Sequence, residues 1–253
     1  MIPIGDDNPV RTRPYVTYVI IAINIVVYLI DRIGAQGPFG NLWTLSLVPR
    51  SLITNEPTVM TIPMVVGNYI RETRVTHTGL DPQWLTIFTS MFMHGSLMHI
   101  GGNMLYMWIF GNNIEDVLGH AKYALFYLAC GVCAALAHVA MNINSTVPMV
   151  GASGAIAGVL GAYLMLFPVA NIRVLVFVFV FWTYIGVPAF IVLGVWFLTQ
   201  LMGVGGSGGI QGGGVAYWAH IGGFVAGAGV VLVAGRNRLM RSRMRGSLGP
   251  YGR

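Results

Sequence analysis

The fold class that the sequence predicts is an all-α, polytopic membrane protein, and three observations predict it. Charged residues make up 9% of the 253-residue chain, against about a quarter in soluble domains. Hydrophobic residues reach 55% and the mean hydropathy is +0.71, whereas a soluble chain of this length needs a more polar exterior. The apolar residues also gather into runs close to the ~20 residues a helix needs to cross the hydrocarbon core.

Taken in order, the runs predict six spans. The first extends from about Pro14 to Ile33, with Pro14 at the helix start, where a missing N–H does no harm. It reads as a retained helix: Asp6 and Asp7 interrupt any basic leader, and no small-x-small cleavage site follows. Residues 34–95 read as a long external loop. Within it, Gly34 to Pro82 carries Pro38, Pro49, Pro57 and Pro63 and suggests short amphipathic pieces, while Trp84 to Gly95 reads as interfacial or re-entrant. The second span starts near Ser96 and ends at Glu115–Asp116, with Glu115 a hydrogen-bonding anchor at the inner membrane edge. Further spans follow at about Ala121 to Met141, Val150 to Phe167, Gly186 to Met202 and Ala216 to Ala234. Val174 to Trp182 is apolar but short, either interfacial or an extension of the fifth span. Gly203 to Gly214 reads as a flexible outer loop. The resulting organisation is an N-terminal cytoplasmic segment 1–13, a membrane domain 14–235 and a basic cytoplasmic tail 236–253.

The net charge of +6 does not indicate nucleic acid, because the basic residues flank the spans. With both termini inside, the inner segments hold ten Lys and Arg residues and the outer segments four, which follows the positive-inside tendency. The five arginines between Arg236 and Arg245 suit anionic lipid. Cys130 and Cys133 lie in an apolar run with no second ligand pair and read as packing residues. No cofactor or metal is indicated.

Polar residues inside a membrane are costly and point to function. Ser153 lies about three residues into the fourth span, His220 about four into the sixth and His99 about three into the second, all counted from the outer face. At 1.5 Å per residue, each sits roughly 5–6 Å below one surface. Asn103 is one turn deeper than His99 on the same side. A serine hydroxyl needs a neighbouring base, most often histidine, to become a nucleophile. At a helix start, the unpaired N–H groups of Gly151-Ala152-Ser153-Gly154 could hold an oxyanion, and His99 and Asn103 could add donors. No acidic residue lies at the depth of His220, which points to a dyad of Ser153 and His220. Gly154, Gly158 and Gly161 in the fourth span, with Ala219, Gly223 and Gly227 in the sixth, would let the two helices pack closely. His77, His94 and His138 read as structural.

These residues resemble the rhomboid family of intramembrane serine proteases. The likeness rests on HGSLMHIGGNMLYMWIFGNNIED (94–116), GASGAIAG (151–158) and AHIGGFVAG (219–227), in that order on separate spans. It implies a rhomboid-like six-helix bundle, with Ser153 as nucleophile and His220 as general base. It further implies that His99, Asn103 and the Ser153 N–H form an oxyanion hole. Expected substrates are single-span membrane proteins whose helix unwinds locally before attack. Two departures stand out. Some rhomboids carry, four residues after the serine, a tyrosine that stacks on the histidine, and here that position is Ala157. The pairs Trp-Arg and Glu-x-Arg seen in many members read Trp84-Leu85 and Glu115-Asp116-Val117.

The alternatives are a non-catalytic relative that binds membrane proteins and a small-solute transporter. Retention of both Ser153 and His220 argues against the first. Clustering of polar groups in the outer third, above apolar helix halves, argues against the second. The inward termini, with no organelle-targeting segment, lead to the expectation of a prokaryotic cytoplasmic membrane.

Overall fold

A computed structural model describes residues 2–34, 42–66, 69–178, 181–206 and 215–246. In chain order the elements begin with β1 (Ile2–Asp6), α1 (Tyr15–Gly34), α2 (Leu42–Leu45), α3 (Pro49–Thr54), β2 (Thr58–Val66) and β3 (Tyr69–His77). Then come α4 (Thr86–Thr89), α5 (Leu97–Tyr106), α6 (Asn112–Leu118), α7 (His120–Met141) and α8 (Ser153–Leu166). The chain ends with β4 (Asn171–Val178), β5 (Phe181–Pro188), α9 (Ala189–Gly206), α10 (Tyr217–Ala234) and α11 (Arg236–Gly246). The fold is mostly helical, and among the described residues three helices, α1, α7 and α10, are long and apolar enough to cross a membrane. Two further apolar helices, α8 and α9, are shorter. α5 and α6 are joined without a break by a π-helical segment, Met107–Gly111.

The centre of the bundle is α8, in which every residue from Gly154 to Tyr163 is buried. Its small residues explain how α7 and α10 close around it. A Cβ on Gly223 would collide with the carbonyl oxygen of Gly154, and one on Gly227 with that of Gly158. A Cβ on Gly161 would likewise strike the Phe224 backbone. Only hydrogen fits at these crossings, so the two backbones come together as the small-xxx-small spacing predicts. On the other side, Gly158 faces the Cβ and Sγ of Cys130, a packing role for that buried thiol.

The end of the bundle that carries the segment before α1, expected from the sequence to be the inner one, is tied by polar contacts. At the inner end, the Glu115 carboxylate accepts from the backbone N–H groups of Val16 (2.9 Å) and Thr17 (2.8 Å) and from Thr17 Oγ1 (2.7 Å). It thereby caps the first turn of α1, whose opening N–H groups have no intrahelical acceptor. His120 Nδ1–H donates to the same carboxylate at 2.6 Å. Asp116 accepts from Thr12 and from Arg243 Nε (2.6 Å), and Arg243 also donates to the Pro9 carbonyl. β1 pairs antiparallel with β4, and Tyr163 Oη, near the C-terminal end of α8, donates to Asp6 Oδ2 at 2.5 Å. The segment before α1, the α6 corner, the β4–β5 hairpin and α11 therefore share one face, and Ser153 stands at the opposite end of α8.

The structure departs from the sequence expectations in five places; the fifth helix, for one, begins at Ala189, because residues 186–188 belong to β5. Within the long loop, Thr58–Val66 and Tyr69–His77 pair antiparallel as β2 and β3, held to α3 by the buried His77, whose ring faces Ser51 Oγ (3.5 Å) and the Ser46 carbonyl (3.2 Å). The described part of Val174 to Trp182 is neither interfacial helix nor an extension of the fifth span. It contributes to β4 and β5, which pair in the order β1-β4-β5, as a run of Val and Phe favours. The fourth helix begins at Ser153 and not at Val150, because Gly151 sits at φ +121° and Met149 is bridged to Leu47 in extended conformation. Gly203 to Gly206 still belong to α9, and the remainder of that expected loop, 207–214, lies outside the described residues.

Candidate active site

Three helix N-termini open onto one cavity of about 470 Å³. α5 brings Ser96, Met98, His99 and Asn103, α8 brings Ser153 and Ile156, and α10 brings Ala216 and His220, while Trp196 of α9 closes one wall. Each N-terminus carries N–H groups without intrahelical partners and the positive end of its dipole.

Ser153 is the first residue of α8 and His220 the fourth of α10. Their side chains meet across 67 positions of sequence, with Ser153 Oγ and His220 Nε2 2.8 Å apart. The close crossing at Gly154 and Gly223 lies beside this contact, so the packing that permits the helix pair also sets the hydrogen bond. At the other ring nitrogen, Nδ1 lies 2.8 Å from Gln200 Oε1 on α9. Trp196, one turn earlier on the same helix, places its ring 5.8 Å from the imidazole at 35°.

His99 and Asn103 sit beside the loop that delivers Ser153. A side-chain carbon at Gly151 would come within 2.7 Å of His99 Nε2 and 3.6 Å of Asn103 Nδ2. Glycine is thus required at 151 for space as well as for its positive φ. Ser96 caps α5, its Oγ accepting from the His99 backbone N–H at 3.1 Å. The Asn103 amide donates to His94 Nε2 at 3.0 Å. His94 in turn donates from Nδ1 to the Phe92 carbonyl (3.3 Å) and accepts at Nε2 from the Ala152 N–H (3.5 Å). One hydrogen of the Asn103 amide is committed to His94, and the other remains for a ligand in the cavity that Asn103 lines.

The structure therefore brings together all four residues singled out from sequence. It adds Gln200, Trp196 and His94, which sequence reasoning passed over or left structural. Gln200 carried a signal: it is the one amide in α9, and an amide in an apolar helix is as suspect as a serine. His94 stands five residues before His99 in the same motif. Trp196 supplies the ring contact to His220 that Ala157 cannot make.

Residues 81–237 match the Rhomboid domain. "Rhomboid protein 1, mitochondrial" of Saccharomyces cerevisiae is 34% identical over 97 residues, covering 37% of this chain and 28% of that protein. "Rhomboid protease GluP" of Bacillus subtilis is 28% identical over 152 residues, 60% of this chain and 24% of that protein. "Presenilin-associated rhomboid-like protein, mitochondrial" of Homo sapiens is 32% identical over 88 residues, 34% of this chain and 23% of that protein. The matched part spans between 23% and 28% of the length of these relatives.

Proposed function

Because the chain belongs to the rhomboid family, we propose that it is an intramembrane serine endopeptidase, cutting single-span membrane proteins in the outer part of the bilayer with a Ser153–His220 dyad. The observation that carries this reading is the 2.8 Å contact between Ser153 Oγ and His220 Nε2, made inside a cavity that also holds His99 and Asn103. In the first step Nε2 takes the hydroxyl proton as Oγ attacks the scissile carbonyl carbon. The tetrahedral oxyanion is held by the Ser153 N–H with the side chains of His99 and Asn103. The imidazolium then gives its proton to the leaving amine, and the C–N bond breaks. Water, deprotonated by His220, hydrolyses the acyl-serine and restores the enzyme. A substrate helix must unwind to expose its peptide bond, since its own hydrogen bonds shield that bond.

The same reading places six spans in a membrane domain 14–235: α1, the α5–α6 rod, α7, α8, α9 and α10. The segments before and after it, 1–13 and 236–253, lie on the cytoplasmic side of a prokaryotic inner membrane. What supports the sidedness is the excess of arginine on the face that carries both termini; residues 34–95, with the β2–β3 hairpin, are then external. Membrane lipids and transmembrane substrates are the partners.

The test is cleavage of a labelled single-span substrate by purified protein in lipid, beside Ser153→Ala and His220→Ala. Loss of cleavage in both variants, with phosphonate labelling of Ser153 in the parent protein alone, supports the protease. Equal cleavage by all three would sink the assignment. Substrate binding without cleavage would indicate a non-catalytic relative, and solute flux a transporter.

A further inference from the structure

A histidine serves as base at one nitrogen only if the other holds the proton. His220 accepts from Ser153 at Nε2, so Nδ1 must carry hydrogen, and it lies 2.8 Å from Gln200 Oε1. Which end of an amide faces a ring is settled by its remaining partners. The Gln200 amide nitrogen donates to the Trp196 carbonyl and to Thr199 Oγ1, each at 3.0 Å. The Trp196 carbonyl can only accept, and the Thr199 hydroxyl is already spent donating to that carbonyl at 2.6 Å. The nitrogen is thereby committed along α9, and the oxygen is turned to the imidazole. The reversed amide would present N–H to Nδ1 and force the proton onto Nε2, the wrong tautomer, which in a serine protease triad costs about 10⁴ in rate.

Gln200 is buried, at 7% exposure. Trp196 lies one turn away on the same face, its ring stacked at a tilt against His220. One turn of α9 thus supplies both constraints a catalytic imidazole needs, an acceptor for Nδ1 and a wall for the ring plane. None of the eight acidic residues falls within α8, α9 or α10. An amide also suits the place physically: a carboxylate here would carry the desolvation cost of a charge, which a neutral acceptor avoids.

We propose that Gln200 is the third member of the proton-transfer chain, a positioning residue that holds His220 as the Nδ1–H tautomer while Trp196 fixes the ring plane. This rests on the Ser153–His220 dyad argued above. Ser153, His220 and Gln200 form a triad whose orienting member is uncharged and is delivered by a helix separate from those of the nucleophile and base.

The full-length protein in lipid is assayed for the rate of phosphonate labelling at Ser153 and for kcat and KM on a single-span substrate. Gln200→Met keeps the side-chain length without the acceptor. It lowers labelling rate and kcat by at least about tenfold, with KM within about twofold. Gln200→Glu, which in its protonated form donates to the Trp196 carbonyl and keeps an acceptor oxygen toward Nδ1, restores most of the rate. Nitrogen-15 spectra of histidine-labelled protein show His220 protonated at Nδ1 in the parent and a tautomer mixture in Gln200→Met. Labelling of Gln200→Met at the parental rate overturns the proposal while leaving the dyad intact. An unlabelled parent, or labelling that survives His220→Ala unchanged, overturns the dyad and with it the triad. If Gln200→Met does not fold, the parental spectrum decides alone, and an Nε2–H tautomer there overturns the proposal.

Discussion

The two ends of α8 treat buried polar groups in opposite ways. At the inner end, Asp6 Oδ2 accepts from Tyr163 Oη and Asn113 Nδ2, Asn113 Oδ1 accepts from Asn8, and Arg236 donates to the Leu166 carbonyl. Beside them Arg243 pairs with Asp116. The bonding capacity there is spent on other parts of the same chain, so the groups lock segments together. At the outer end, Ser153, His99 and Asn103 face a cavity with donors left over. Burial of a polar group does not distinguish a lock from a reactive centre. Surplus capacity directed at an open space does.

This contrast predicts that the two ends fail differently. Ser153→Ala lowers cleavage by at least about 10⁴-fold, yet leaves thermal stability in detergent nearly unchanged, because the methyl group still fits the site. A substantial fall in melting temperature in this variant would erase the distinction between the ends. Arg243→Ala does the reverse. It leaves Asp116 without its cation and removes the guanidinium that stacks on Phe167, 5.3 Å from the ring centroid. Breaking a buried pair typically costs about 3–5 kcal/mol, and the Thr12 donors that remain to Asp116 place this variant near the lower figure. Its activity per folded molecule is retained, as read by active-site titration before and after heating. A matching loss of kcat would mean the inner lock reaches the site.

Within the outer end, the donors proposed to act on the oxyanion sharpen the comparison further. His99→Ala or Asn103→Ala reduces kcat by about 10²–10³, with little change in KM. His94→Ala acts only through Asn103 and the Ala152 N–H, so its loss in kcat is smaller than that of Asn103→Ala. The double variant should then lose little beyond Asn103→Ala alone. Additive losses in a double-mutant cycle would show that His94 has its own access to the reaction.

How much of this was legible in the sequence follows from the same physics. Lipid requires long apolar helices, so α1, α7 and α10 begin and end within a residue or so of the predicted spans. Ser153, His220, His99 and Asn103 stood out because each polar residue lay near the outer end of such a run. The strands were lost for a related reason. A short apolar run such as Val174 to Trp182 has no period that separates strand from helix, and only its Val and Phe content leaned toward β4 and β5. β2 and β3 set Pro63, Arg71, Glu72 and Arg74 among apolar residues, which blurs their alternation, and their seat beside α3 is made by contacts distant in sequence, His77 with Ser46 and Ser51 among them. Gln200 was not legible because an amide that orients does not itself react. An orienting amide reveals itself only when Nδ1 of His220 is seen to need a partner.

The smallest predicted effect tests whether the inner lock contains a titrating group. Burial, the largest influence, raises the Asp6 carboxyl above its ordinary 3.8, against the lowering effect of its bonds to Tyr163 and Asn113. A raised folded-state value means the protonated form is favoured in the fold. The stability this contributes is complete below the unfolded value of 3.8 and is lost as pH rises through the higher folded value. Asp6→Asn fixes the group neutral and keeps an oxygen for Tyr163 Oη and Asn113 Nδ2. Its melting temperature should therefore fall less than that of the parent between about pH 4 and about pH 7. Parallel curves for the two proteins would mean that Asp6 does not titrate in the fold, and that the inner end is as pH-insensitive as its saturated bonding suggests.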